Sequence, residues 1–267
     1  MLLAIDIGNT SVSFALFDKD RNPDELVVSS KISTQKNRSA DEYAVLIKQI
    51  LDLKLGSDYS IDCSAVSSVV PTVTASVLSA AEILSGSKPY LIRPGIKTDF
   101  KISVNDPATL GSDIVSNVAA ALEIEEPPLV IFDAGTANTI TVIDEQRSLI
   151  GTVIMPGIRI ASAALHENAE LLDSVSVSSS ELPIIGKNTE ESVRSGLIHG
   201  NSLMLDGFVR NIRESFTAKD SANKLSLIAT GGFSELITDH CRNKFFTDTS
   251  LTLRGVAALF YKNLKKQ

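Results

Sequence analysis

At 267 residues, with 43% hydrophobic and 21% charged side chains, the chain has the length of two middling domains and the composition of a soluble globular protein. No apolar run reaches the roughly 18 residues that cross a bilayer, and the apolar N-terminus meets Asp6 with no basic region before it, so neither a membrane partner nor a signal peptide is expected and the location is read as cytoplasmic. A net charge of −7 argues against a nucleic-acid partner, and two cysteines without ligand spacing, Cys63 and Cys241, argue against a disulfide framework or a zinc site.

In chain order, residues 2 to 6 read as an apolar strand ending in an acid. A Gly-Asn-Thr turn follows, and Val12 to Phe17 resumes as a second strand, making a hairpin with a polar tip. Ser39-Ala40-Asp41-Glu42 is a helix start signal, and Tyr43, Leu46, Ile47, Ile50 and Leu51 continue it at helical spacing. Ala65 to Val70 is a short strand closed by Pro71, Thr72 to Ser85 is helical before Gly86, and Pro89 to Ile92 is extended again. This alternation predicts an α/β fold with a partly parallel sheet. The alanine-rich stretch Ser112 to Ile124 is a helix ended by Glu125-Glu126-Pro127-Pro128.

Beyond that break, Leu129 to Ile143 repeats the pattern of residues 2 to 17: an apolar strand, Asp, one residue, Gly, a turn rich in hydroxyl and amide groups, and a second apolar strand. The repeat predicts two duplicated domains facing a central cleft, residues 1–117 and 118–267. The second half continues with an extended segment from Ile150 to Met155, a Pro156-Gly157 turn, a helical stretch through Leu165, and a serine-rich link from Ser174 to Ser180. A long helix from Glu190 to Arg213, a strand from Leu225 to Ala229 opening onto Thr230-Gly231-Gly232, and a closing helix from Thr252 to Lys265 complete it, the basic tail Lys262 to Lys266 being a solvated helix end.

A turn of the form Asp-x-Gly-Asn-Thr between strands is expected to expose successive backbone N–H groups, because glycine admits close approach and positive φ. Thr10, Ser11 and Ser13 add hydroxyl donors, and Asp6 can hold magnesium or its water shell beside the phosphates. One such turn is more often an ordinary hairpin tip; two of them, with a later Thr-Gly-Gly, suggest a phosphate clamp. Transfer to an alcohol needs a proton acceptor, for which Asp113 at the start of a helix is the candidate, the alternative being that it only charges the first helical turn. Gly186-Lys187-Asn188-Thr189 reads either as a substrate loop or as a turn and cap, and His166, His199 and His240 show no metal-ligand spacing.

These residues resemble the type III pantothenate kinases of the acetate and sugar kinase, heat-shock protein 70 and actin superfamily. The anchors are Asp6-Ile7-Gly8-Asn9-Thr10, Gly111-Ser112-Asp113, Asp133-Ala134-Gly135-Thr136-Ala137, Met155-Pro156-Gly157, Gly186 to Thr189, Thr230-Gly231-Gly232 and Leu251 to Gly255. The resemblance implies two RNase H-like domains in a homodimer that phosphorylates pantothenate with ATP, magnesium and a monovalent cation, K+ or NH4+. By position it implies ATP contacts from Asp6, Ile7, Gly8, Asn9, Thr10, Ser11, Val12, Ser13 and Thr136. It further implies proton acceptance by Asp113, potassium at Asp133, and substrate contacts from Gly111, Ser112, Asp113, Ile114 and Thr189.

Two residues depart from the family pattern. Ile114 stands where family members carry arginine, and Val104 where they carry tyrosine. An apolar side chain replaces neither a guanidinium able to pair with a carboxylate nor a phenol. Three readings follow: pantothenate held differently, another small alcohol as acceptor, or a silent binding or regulatory homologue.

Overall fold

The computed structural model describes residues 1–18, 25–169, 182–216 and 224–264, so the serine-rich link at 174–180 and the last residues of the basic tail lie outside the described residues. The chain forms two compact units, residues 1–124 with 250–267, and residues 125–249.

In the first unit, β1 (Leu2–Ile7), β2 (Ser11–Phe17) and β3 (Leu26–Ser33) form an antiparallel meander. Then come α1 (Ala40–Leu55), β4 (Cys63–Ser68), α2 (Pro71–Ser85) and β5 (Tyr90–Leu91). The sheet order is β3-β2-β1-β4-β5, with β4 parallel to both β1 and β5. After a two-residue strand β6 (Lys101–Ile102), α3 (Ser112–Ile124) ends the run. The start signal of α1 is a capping box: Ser39 Oγ accepts from Glu42 N and the Glu42 carboxylate accepts from Ser39 N. Pro71 opens α2 at a position whose N–H has no helical partner, and Gly86 closes it at φ 64°.

Alternate residues of β1 face opposite sides of the sheet. Leu3, Ile5 and Ile7 pack with Tyr43, Ile47 and Leu51 of α1 and Val73 and Val77 of α2. Leu2 and Ala4 face the other way. Both faces are covered, so β1 is apolar from Leu2 to Ile5 rather than alternating, and Asp6 near its end is the exception. The strand β3, missed in the sequence, lies at the sheet edge with no fully buried residue, which is why its Ser29-Ser30-Lys31 centre carries little strand signal.

The second unit repeats the plan: β7 (Leu129–Ala134), β8 (Ala137–Ile143), β9 (Ser148–Pro156), α4 (Ile158–Asn168), α5 (Thr189–Ser215), β10 (Ser226–Thr230), α6 (Ser234–Thr238) and β11 (Phe246–Thr247). Its strands run β11-β10-β7-β8-β9, again with an antiparallel meander and parallel β7·β10 and β10·β11 pairs. Val130, Phe132, Ala134 and Ile140 pack with Ile158 of α4, Leu197, Leu205 and Val209 of α5, and Ile237 of α6.

The division expected at 117/118 would cut α3 in half. It also misplaces the closing helix α7 (Leu251–Leu264), which belongs to the first unit. There Leu253, Val256, Ala257 and Phe260 cover Leu2, Ala4, Ala15 and Phe17 on the sheet face opposite α1 and α2. Gly255 makes the close approach possible, since a β-carbon there would fall 1.8 Å from the Ser116 carbonyl oxygen of α3. The repeat read from the sequence is therefore one of strand plan, while packing returns the last helix of the second repeat to the first unit.

Candidate active site

In the first unit the site is built on three element ends. Asp6, one residue before the end of β1, lies on the same strand face as Leu2 and Ala4, and its neighbours in register are Ser13 of β2 and Ser67 of β4. Ser67, fully buried, donates from Oγ to Asp6 Oδ1 at 2.8 Å and sits 3.0 Å from Ser112 Oγ. Ser112 accepts from the N–H of Ser68 at 3.0 Å and reaches its carbonyl at 3.1 Å, which ties the start of α3 to the end of β4. The Asp6 carboxylate and the helix that carries Asp113 are thus joined through two hydroxyls.

Asp113 occupies the first turn of α3, where its Oδ1 accepts from Ile114 N at 2.8 Å. The carboxylate lies so close over Gly111 that a β-carbon there would come within 2.2 Å of Oδ1. Burial pushes the Asp113 pKa up from the ordinary carboxylate value, against the lowering effect of the hydrogen bond from Ile114. A carboxylate so placed is a stronger base than a solvated one. Ile114 is buried.

The first turn departs from expectation in two respects. Gly8 does not adopt positive φ, and its N–H donates to Ser11 C=O at 2.9 Å, so it is not an open donor. The carbonyls of Gly8 and Thr10 accept from Thr34 Oγ1 and N at 2.7 and 3.0 Å, which fixes the turn from beneath. Asn9 and Thr10 are its exposed residues, while Ile7 and Val12 are fully buried in the core and offer a ligand main chain only.

In the second unit Asp133 stands beside Thr139 and Thr230 in register. Gly231, at φ 91°, lets the chain after β10 press on the neighbouring strand: a β-carbon there would come within 2.6 Å of the Ala134 carbonyl and of Asp133 Oδ1. Ser234 at the start of α6 donates from Oγ to Gly231 C=O at 2.8 Å, and the space over Gly232 is open. Gly157 backs the second turn, since a β-carbon there would lie 2.5 Å from the Gly135 carbonyl oxygen and 2.3 Å from that of Thr136. Thr189 is exposed at the start of α5. Asn188 caps that helix by accepting from Glu191 N at 2.9 Å, and the Glu191 carboxylate accepts from Lys187 N at 2.8 Å, so Gly186 to Asn188 do form a turn and cap.

The structure therefore joins Asp6, Ser112 and Asp113 in one unit and Asp133, the Gly135-Thr136 turn and Gly231 in the other. Ser67 and Ser68 escaped the sequence reading, although they end β4 as Thr230, with Gly231 after it, ends β10, and the repeat carried one strand further points to them. Among the described residues no group of three or more His, Cys, Asp or Glu side chains is placed to hold a metal ion. No described helix is long and apolar enough to cross a membrane.

Residues 2–211 match the family model described as type III pantothenate kinase. A type III pantothenate kinase from an Exiguobacterium species is 33% identical over 265 residues, covering 99% of this chain and all of the relative. The chain belongs to the type III pantothenate kinase family. As a member it is a kinase of the transferase class, and the family supports pantothenate phosphorylation in coenzyme A synthesis and the use of ATP.

Solved structures agree on the fold. A protein named as a Baf family transcriptional activator, from Campylobacter jejuni, superposes with TM-score 0.56 at 20% identity, covering 98% of this chain and 99% of that one. The activator of 2-hydroxyisocaproyl-CoA dehydratase from Clostridium difficile, with ADPNP bound, gives 0.50 at 12% identity, covering 100% and 97%. These likenesses show the fold, a pair of duplicated RNase H-like α/β domains.

Proposed function

We propose that the chain transfers the γ-phosphoryl group of ATP to the primary hydroxyl of pantothenate, giving 4′-phosphopantothenate, with Asp113 as general base. The observation that carries this reading is the half-buried Asp113 carboxylate on a helix tied through Ser112 and Ser67 to Asp6. Asp113 takes the hydroxyl proton as the alcohol oxygen bonds to the γ-phosphorus, and the bond from that phosphorus to the bridging oxygen breaks with its electron pair leaving on ADP.

The side chains of Asn9, Thr10, Ser11 and Ser13 hold the phosphates over a turn whose backbone Ile7, Gly8 and Val12 shape, and Thr136 is a further ATP contact. Asp6 fits magnesium as a single carboxylate beside phosphate oxygens, the usual environment of that ion, and the ion supplies neutralisation of developing charge. Asp133, an oxygen ligand pressed between Gly135 and Gly231, suits a monovalent cation, K+ or NH4+. Gly111, Ser112, Ile114 and Thr189 position the acceptor. A homodimer in the cytoplasm completes the reading, supported by exposed Ile154, Ile184, Ile185 and Leu203 on the second unit.

The test offers purified protein ATP, magnesium and potassium with pantothenate, pantetheine or simple sugars, and measures ADP release. Release that depends on pantothenate is expected. ATP binding without turnover of any acceptor would reject the kinase reading in favour of a silent homologue.

A further inference from the structure

Ile114, beside Asp113, is apolar and buried and offers an anionic acceptor no charge, whereas the structure places a cation elsewhere in the first unit. A pocket of about 460 Å³ in the first unit is lined by Ser112 and Val115 of α3, by Leu110, and by the segment from Ile92 to Ile96. Its walls are mainly aliphatic. Two charged residues line it, Arg93 and Asp106, and the Asp106 carboxylate already accepts from Ala108 N at 3.2 Å. Ser112 is shared between this pocket and the hydroxyl link to Asp6.

Arg93 is held in place by its backbone. Ile92 donates from N to Val66 C=O of β4 at 2.8 Å and is buried against α7. Arg93-Pro94-Gly95-Ile96 is a tight turn with Gly95 at φ 87° and Ile96 N donating to Arg93 C=O at 3.3 Å, the sequence and geometry of a type II turn. Beyond it the Asn263 side chain clamps Lys97, accepting from its N–H and donating to its carbonyl at 3.1 Å each, and Lys262 pairs with Asp99. The turn is anchored at both ends, and the exposed Arg93 side chain that it carries lines the pocket as its cation.

We propose that Arg93 is the specificity-determining residue for the acceptor, pairing with its carboxylate. This rests on the reading of the chain as a pantothenate kinase. Pantothenate carries its reacting alcohol beside a gem-dimethyl carbon at one end and its carboxylate at the other. The aliphatic walls suit the middle of such a molecule, Ser112 marks the reacting end, and Arg93 marks the anionic end.

The test compares wild type, Arg93→Ala and Arg93→Lys with pantothenate and with pantothenol, the neutral analogue in which the carboxylate is replaced by an alcohol. Loss of a hydrogen-bonded charge pair is expected to raise the KM for pantothenate about ten-fold or more in Arg93→Ala. Arg93→Lys should recover part of that loss, with the KM for ATP, the KM for pantothenol and the thermal midpoint unchanged. An unchanged KM for pantothenate, or an equal rise for both acceptors, would overturn the assignment while leaving the kinase reading in place. Wild-type protein that phosphorylates neither compound would overturn the kinase reading itself, and the Arg93 assignment with it.

Discussion

The β1–β2 and β7–β8 hairpins are the same object in packing and different objects in chemistry. Their burial patterns agree residue by residue, and each meets its third strand with a register shift at the same place, between Leu16 and Phe17 and between Val142 and Ile143. Yet four residues, Gly8 to Ser11, separate the innermost strand partners of the first, and three, Gly135 to Ala137, those of the second. At the end of the neighbouring parallel strand the first half places Ser67-Ser68 and the second Thr230-Gly231. Ser67 gives Asp6 a hydroxyl donor, and Ser68 accepts from Val70 N at 3.1 Å just before the 15-residue α2. Gly231 instead brings main chain against Asp133 and opens the five-residue α6. A duplicated scaffold keeps its core and diverges where two equivalent carboxylates take unlike partners.

The largest expected effect separates a general base from a helix-end charge. Asp113→Asn should lower kcat by about 10² to 10⁴, the range for general base catalysis, in a coupled ADP assay. Its stability should move the other way. Because burial raises the folded pKa, the fold binds the Asp113 proton more tightly than the unfolded chain does. The associated stability is complete below the ordinary 3.8 and is lost as pH rises through the raised value. At pH 7 the asparagine variant should therefore melt no lower than wild type, with any advantage gone below that ordinary value. A lower melting point with retained turnover would reduce Asp113 to a helix-end role.

The second comparison breaks the glycine turn of the second half. Gly231→Ala meets both a positive φ and backbone atoms at 2.6 Å, and should destabilise by about 2 kcal/mol in urea denaturation while weakening ATP binding. Gly232→Ala meets no atom within 4 Å and should leave stability within about 0.5 kcal/mol. If a nucleotide approaches over Gly232, that variant nonetheless raises the KM for ATP, so the pair separates folding from binding. Equal ATP affinity in the Gly232 variant and wild type would remove the nucleotide from that turn.

How much of this was legible depended on whether the signal was local. The helix from Ser112 to Ile124, the helix start signal at Ser39 to Glu42, and the repeated hairpin are written in neighbouring residues, and the structure places them as read. The edge strand β3, the short strands β6 and β11, and the return of α7 to the first unit depend on partners far along the chain, as does the contact of Gly255 with Ser116. In the site, Asp6, Ser112 and Asp113 were found by motif, but the hydroxyl that joins them belongs to Ser67, which has no motif of its own. Arg93 was invisible for the same reason: a single arginine before Pro-Gly gains meaning only from the pocket it lines.

Ser67 also provides the mildest and most discriminating test of the two halves. Ser67→Ala removes the donor to Asp6 and leaves a part-buried carboxylate oxygen with one hydrogen bond fewer, a loss of about 1.5 to 3 kcal/mol for a charged acceptor. Because Asp6 is assigned to the phosphate and magnesium side, the loss should fall on the KM for magnesium-ATP, by about ten-fold, and leave the KM for pantothenate near wild type. Ser67→Thr writes the second half's residue into the first and keeps the hydroxyl, so it should retain the wild-type KM for magnesium-ATP within about three-fold if strand packing accepts the methyl group. If the alanine variant shifted the acceptor KM instead, the hydroxyl link would serve mainly to position α3 and Asp113. The difference between Asp6 and Asp133 would then lie in the helix each half orients rather than in the ion each carboxylate holds.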